Sequence, residues 1–194
     1  MRVALCKYRA PPAFVKWNPS DKGSGITLSL SDTRATFATF SPNNIRGTIG
    51  RSSGKYYFRV KRDSAAIAAG GDIGIANASC PLTSNPGLSA NGFIHQSNGF
   101  KGNGSYSAYG VSWDGANDEV GIAYDVAAAK LFIGKGAAGG ALTWMASSDP
   151  VTGANPMFSG ITAATYYPMG GSPVGSGVFL EFVYDTPPSG YTYW

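Results

Sequence analysis

Asp118-Glu119-Val120-Gly121-Ile122-Ala123-Tyr124-Asp125 and, four residues on, Lys130-Leu131-Phe132-Ile133-Gly134-Lys135-Gly136 are the stretches that decide the fold of this chain. Two short apolar runs, 120–124 and 130–133, flank a turn at 125–129, which is the pattern of a β-hairpin. Both runs are too short for a helix, and neither carries a 3.6-residue apolar repeat.

Outward from the hairpin the same grammar continues. In Gly54-Lys55-Tyr56-Tyr57-Phe58-Arg59-Val60-Lys61, Tyr56, Phe58 and Val60 fall on one face and Lys55, Tyr57, Arg59 and Lys61 on the other, so a half-buried strand is expected. Val178, Leu180, Phe182 and Tyr184 share one face of a second strand. Residues 71–76 form a third, whose glycines suggest a bulge or a close backbone approach. Further strands are expected at 106–113 and 165–169. The polar stretch 79–105 is too long for a structureless loop and hides a short strand near 93–96. Residues 134–160 read as a Gly/Pro-rich connection containing Trp144. Only Ala65–Ala69 offers even one helical turn, and no tandem repeat or interdomain linker is evident.

Composition agrees. Of 194 residues, 43% are hydrophobic and only 13% charged, with 27 Gly and 12 Pro, as in sandwiches whose many short strands are joined by tight turns. The length suits one domain. Charge is unevenly spread: residues 1–62 have a net charge of +10 and residues 63–194 a net charge of −6. Residues 1–16 read as a basic arm, with Arg2, Lys7, Arg9 and Lys16 as candidates for assembly contacts and Pro11-Pro12 forbidding helix. Cys6 and Cys80 are too few for a disulfide framework and read as free thiols. No apolar run is long enough to span a membrane, and the start does not read as a signal peptide.

Read together and in order, these segments resemble the SPRY family, a concanavalin A-like sandwich. The resemblance rests on Ser53-Gly54-Lys55-Tyr56-Tyr57-Phe58-Arg59-Val60, Gly71-Asp72-Ile73-Gly74-Ile75, the hairpin, Asn155-Pro156-Met157-Phe158, Tyr166-Tyr167-Pro168, Phe179-Leu180-Glu181-Phe182 and Pro187-Pro188-Ser189-Gly190-Tyr191. It covers residues 17–194. Two positions depart from the family pattern: Ala129 stands where Gly is usual in the hairpin turn, and the usual Asn is missing before Gly136. The resemblance implies an all-β, two-layer antiparallel sandwich with ligands held by loops at one end. It also implies that the segment like Gly92–Gly99 and the loop before the Ser-Gly-Lys turn, with Arg46 and Arg51, contribute to that end. The opening Trp17-Asn18-Pro19-Ser20-Asp21-Lys22-Gly23 and the loop with Trp144 and Pro150 are more similar to bacterial and phage SPRY domains. This implies a part of a virion, in a tail fibre, receptor-binding or decoration role.

The catalytic motifs fail their context. Gly50-Arg51-Ser52-Ser53-Gly54 has a nucleophile-elbow spacing but is followed by a strand, where that motif needs a helix. Gly134-Lys135-Gly136-Ala137-Ala138-Gly139 lacks the βαβ unit and helix of a dinucleotide site. A single histidine, His95, cannot supply the usual zinc spacing, and the turn with Asp114, Asp118 and Glu119 lacks the alternation of a calcium loop. No cofactor and no metal are expected. Asn77-Ala78-Ser79 and Asn103-Gly104-Ser105 match glycosylation sequons only by pattern.

Binding is the better reading. Phe93, His95, Gln96, Asn98 and Phe100, with Tyr106 and Tyr109 just after, crowd a polar glycine-rich stretch suited to stacking on sugar rings or anchoring a protein epitope. The expected partners are other virion proteins or a host surface protein or glycan, within a larger assembly or homo-oligomer. The rival readings are a polysaccharide-acting enzyme with paired carboxylates and a nucleic-acid-associated protein acting through its basic half.

Overall fold

The hairpin forms as read. In the computed structural model, which describes residues 14–38, 42–63, 71–172 and 178–194, β10 (Glu119–Asp125) and β11 (Lys130–Gly136) pair antiparallel in unbroken register from Glu119↔Gly136 to Asp125↔Lys130. Asp125 closes the turn by accepting from the Ala128 amide at 3.0 Å. Cys6, Arg2, Lys7, Arg9 and the helical turn expected at Ala65–Ala69 lie outside the described residues.

On the other side of β10 lies β5 (Lys55–Asp63), and beyond it β15 (Val178–Val183), β3 (Arg34–Phe37) and β2 (Ile26–Ser29). The two-residue β12 (Thr143–Trp144) and β13 (Phe158–Ser159) pair with β11. Where β15 runs out at Val183↔Arg59, β16 (Thr192–Tyr193) takes over parallel to residues 56–57 of β5. The second sheet has the order β1 (Trp17–Lys22), β4 (Asn43–Gly47), β14 (Tyr167–Ser172), β6 (Asp72–Ala76), β7 (Gly92–Gln96), β8 (Phe100–Gly102), β9 (Tyr106–Ala108). Among the described residues there is no α-helix, only 3-10 turns at Pro86–Leu88 and Met145–Ser147, and no helix long and apolar enough to cross a membrane.

Between the sheets Trp17, Phe37, Ile45, Phe58, Ile73, Ile122, Leu180 and Trp194 build the main core. Trp17 ties the layers twice: its indole donates to the Leu180 carbonyl at 3.0 Å and its ring lies 4.3 Å from Phe182. Phe14 and Val15 already pack on this body ahead of Trp17. Val15 is buried, and the Phe14 ring is 4.5 Å from that of Tyr184.

Three expectations need correction. β5 is not half-buried: Tyr57 and Arg59, on the face expected to meet solvent, are both buried. A second apolar layer of Tyr57, Ala123, Phe132 and Tyr191, joined by Leu142 and Trp144, covers that outer face. The strand expected at 106–113 stops at Ala108, because the chain turns inward to bury Trp113, whose amide donates to the Ser97 carbonyl at 2.8 Å. Tyr184 leaves the row of Val178, Leu180 and Phe182; it is 41% exposed, and its hydroxyl donates to the Val15 carbonyl.

Ala129 holds a left-handed backbone, φ 54°. Left-handed geometry costs an L-residue about 1 kcal/mol or more, and glycine avoids that cost. Ala129→Gly is therefore expected to raise unfolding free energy by about 0.5–1 kcal/mol, read from the urea midpoint at unchanged slope. A lower midpoint would mean that the methyl's packing on the core outweighs the relieved strain.

Candidate functional site

The residues read as one loop cluster do not converge. Phe93 and His95 lie on β7 and face the core. His95 is fully buried: the Trp113 indole donates to its Nδ1 at 2.9 Å, and Nε2 lies 2.7 Å from the Tyr109 carbonyl. An indole only donates, so Nδ1 is the acceptor, and Nε2 carries the proton that reaches Tyr109. Burial pushes this imidazole down to about 4, so it stays neutral. Phe93 packs edge-on against Phe158 and Tyr166. Both side chains are buried.

Arg46 is also buried. It grips Asp21 with two 2.7 Å bonds and donates to the Cys80 carbonyl at 2.7 Å. The Arg51 guanidinium lies 4.3 Å over the Tyr56 ring, in the loop leading into β5. That is the opposite end of the sandwich from the β7–β8 turn, since β5 runs toward the end where β6 starts and β7 finishes. Asn98 and Phe100 are exposed at that turn, Phe100 by 41%. Gln96, Tyr106 and Tyr109 are half-buried. The Tyr106 hydroxyl is held by Asn85, and the Lys101 ammonium sits 4.9 Å from the Tyr109 ring. Lys16 is exposed beside Thr48. In both sequons the Asn amide is committed, Asn77 to Asn91 and Asn103 to the carbonyls of Ala90 and Gly92. Cys80 is a buried free thiol.

Two concave surfaces lie elsewhere, one on the outer face of the β5–β10–β11 sheet and one at its β11–β12 edge. Trp144, on edge strand β12, forms a wall between two open grooves. One, of about 480 Å³, is lined by Tyr57, Arg59, Leu142, Trp144, Val151 and Asp185. The other, of about 490 Å³, is lined by Val111, Asp118, Lys135, Thr143, Trp144 and Met145. Val111 and Val151 flank the pair, 58% and 55% exposed. Immediately after Trp144 the chain strains: Ala146 and Ser147 have φ of 52° and 56°. Such strain in non-glycine residues persists only where surrounding structure imposes it, and it clusters at binding surfaces.

The charged groups of both grooves are already paired. Arg59 bonds Asp185 at 2.5 Å and Glu119 at 2.6 Å, and it donates to the Gly140 carbonyl at 2.7 Å. Burial alone would depress this guanidinium, but the Asp185 hydrogen bond and the two carboxylate charges outweigh it and hold it above its ordinary value. Burial, reinforced by Asp185, pushes the Tyr57 phenol well up. Lys135 bonds Asp118 and the Ser112 carbonyl, each at 2.9 Å. Glu119 and Asp185 thus share one guanidinium. Among the described residues no cluster of three metal-ligating side chains occurs.

The glycine motifs have packing roles. A side chain at Gly134 would press on the Trp144 ring, and one at Gly136 would come within 2.6 Å of the Ala141 carbonyl. These glycines let residues 136–144 lie flat along β11. Ser52 sits exposed in the bend before β5, with no helix behind it. Sequence reasoning placed Trp144 in a connection and missed it as a site; the available signal was a lone tryptophan in a run otherwise free of large aromatics from 134 to 146.

No family model matches the sequence, and no curated protein matches it. Solved structures do. The SPRY domain of human HERC1 aligns over 86% of this chain and 96% of its own with a TM-score of 0.67 at 13% identity. The fold is SPRY-like. The TRIM65 PSpry domain also gives a TM-score of 0.67 at 13% identity, covering 89% of this chain and 93% of that one. At such identity the SPRY-like sandwich is shared and the ligand is not thereby given.

Two outcomes follow from the buried groups. Arg59→Ala leaves Glu119 without its counter-ion and should cost about 3–5 kcal/mol in denaturant unfolding, whereas replacing the ion pair by Arg59→Met with Glu119→Gln should recover much of it. His95, neutral in the fold, contributes stability that is present above about pH 6.5 and lost as pH falls toward 4. The stability difference between the wild type and His95→Gln should therefore shift by up to about 3 kcal/mol across that window. A difference that does not vary with pH would contradict the assignment.

Proposed function

We propose that this SPRY-like chain is a non-enzymatic binding module that holds an uncharged, apolar segment of a protein partner on the Trp144 face. The observation that carries this reading is the pair of grooves of about 480 and 490 Å³ sharing Trp144 as their common wall. Buried or half-buried tryptophans in such positions dominate interface energetics, and exposed valines around them exclude water. Charge complementarity selects the segment: Arg59 is balanced by Glu119 and Asp185, and Lys135 by Asp118, so an extra charge from a partner would find no counter-ion. Two apolar side chains of one segment, one on each side of Trp144, fit both facts.

At a finer level, the similarity of residues 17–23 and of the Trp144–Pro150 loop to bacterial and phage sandwiches supports a phage or prophage virion component. In that setting Arg2, Lys7, Arg9 and Lys16 would reach neighbouring subunits. A glycan reading retains one supporting observation, the exposed Phe100 next to exposed Asn98.

Selection of random peptides against the immobilised protein should enrich sequences with paired apolar residues and no charge between them. Trp144→Ala, with unchanged thermal unfolding, should weaken their binding by at least ~30-fold, the loss of about 2 kcal/mol expected of a central aromatic anchor. Peptide binding indifferent to Trp144, or a glycan-array response that Phe100→Ala abolishes, would overturn this reading. Detection of the chain by mass spectrometry in purified phage particles checks the virion assignment.

A further inference from the structure

The outer face of the seven-stranded sheet is covered by residues 77–91, and at its centre is a carboxyl group with no counter-ion among the described residues. Asp72 on β6 is fully buried. It shares a cross-strand row with Gly171 on β14 and Asn44 on β4, all pointing outward. Gly171 has no room for a side chain: a Cβ there would lie 2.5 Å from Asn44 Oδ1, 3.3 Å from the Asp72 Cβ and 3.4 Å from Pro86 of the cover. Both oxygens of Asp72 and Oδ1 of Asn44 are buried without a hydrogen-bond partner. These acceptors thus lie buried without a completed hydrogen bond.

The groups facing Asp72 cannot neutralise it. Across β7 stands Gln96, whose carboxamide lies close without completing a hydrogen bond of ordinary geometry. β14 offers Gly171 and Ser172, which carry no charge, and β9 offers the Tyr106 phenol, itself pushed up by burial and by Asp72. On β4 the nearest cation is Arg46, already gripped by Asp21. Residues 77–91 contain no charged side chain, and their one titratable group is the buried Cys80 thiol, which burial raises. A buried carboxylate without a counter-ion is strongly disfavoured, whereas the neutral acid supplies the O–H donor the cluster lacks.

We propose that Asp72 is a proton-operated latch: as the neutral acid it lets residues 77–91 close over the outer face of the sheet, and its ionisation loosens that cover. The cover is otherwise held by hydrogen bonds, one of them from the Arg46 guanidinium to the Cys80 carbonyl at 2.7 Å. Asn44 Nδ2 donates to the carbonyls of Pro81 and Ser84 at 2.9 and 2.6 Å, and Asn85 holds the Tyr106 hydroxyl. Cys80 of the cover packs on Ala76, Ile94 and Met169, a small apolar cluster that opening would wet. Burial pushes the Asp72 carboxyl up to about 7, against an ordinary value near 3.8, so the latch works close to neutrality.

The sign is fixed by linkage. The closed form holds its proton to about pH 7, and the open form releases it near the ordinary carboxylate value. The opening constant should therefore rise by up to about tenfold per pH unit between roughly pH 5 and 7 and level off above. Hydrogen exchange of residues 77–91 in the full chain, corrected for intrinsic rates, should show this rise, and Asp72→Asn should abolish it while keeping the cover closed at pH 8. A carboxyl 13C titration of the wild type provides an independent reading, with an Asp72 midpoint above 6 expected. A midpoint below 5, or the same pH-dependent opening in Asp72→Asn, would overturn the proposal. Protection at pH 8 restored by Ca2+ in the wild type but not in Asp72→Asn would overturn it in favour of a cation site.

Discussion

Arg59 is the group on which the architecture of the larger sheet depends. A guanidinium in the middle of a central strand, with its side chain 3% exposed, requires that something cover the strand's outer face and supply negative charge there. Both come from distant sequence. Glu119 arrives on the neighbouring strand β10 and Asp185 on the C-terminal segment, while the carbonyls of Ala137 and Gly140 come from the loop after β11. The ion cluster positions these pieces because an unpaired charge at this depth costs several kcal/mol. Once they are in place, Tyr191 seals the layer with its hydroxyl on the Pro150 carbonyl, and β16 completes the open edge of β5.

This arrangement makes the molecule more than two sheets around one core. A third apolar layer lies outside the larger sheet and a smaller one outside the other. Loops that a simple sandwich leaves in solvent are drawn down onto the sheets as covers. Concave surface then appears at the margins of those covers, where a loop ends over a strand. The grooves beside Trp144 are such margins: Leu142 and Gly140 come down to meet Arg59, and, after Met145 turns into the core, Ala146 and Ser147 continue in strained backbone. A surface built this way is rigid underneath, because its floor is a β-strand held on both sides, and this favours partners that need little reorganisation to bind.

How much of this was legible in the sequence follows from what each pattern reports. The 118–136 hairpin was plain, because its apolar runs, turn and length all agree. The alternation in β5 was read correctly as a strand and wrongly as half-buried. Period two says which residues share a face, but not whether a loop eighty residues away returns to cover it. His95 and Phe93 looked like binding residues because their neighbours are polar and glycine-rich. Their burial depends on Trp113 and Tyr109, which reach the histidine from 18 and 14 residues further along the chain. Strands β1 to β4 contain Asn, Asp, Ser and Arg at positions such as Asn43, Asn44 and Arg46, which are buried because the Gly25 amide, loop carbonyls and Asp21 meet them. Trp144 carried almost no sequence signal, since neither periodicity nor motif marks a two-residue edge strand.

The two covers solve the same problem in opposite ways. Over the larger sheet, buried charge is met with opposite charge, so the closed state is stabilised by ion pairs. Over the smaller sheet the cover is uncharged and the buried acid faces only amides and a phenol, so closure is compatible with one protonation state and not the other. Electrostatics in a low-dielectric layer leaves no intermediate option: a titratable group there is either paired or neutral. The face beneath residues 77–91 is thereby the one built around a proton-responsive group. A binding surface and a proton-responsive surface can then sit on opposite sides of one sandwich, with a largely apolar main core between them.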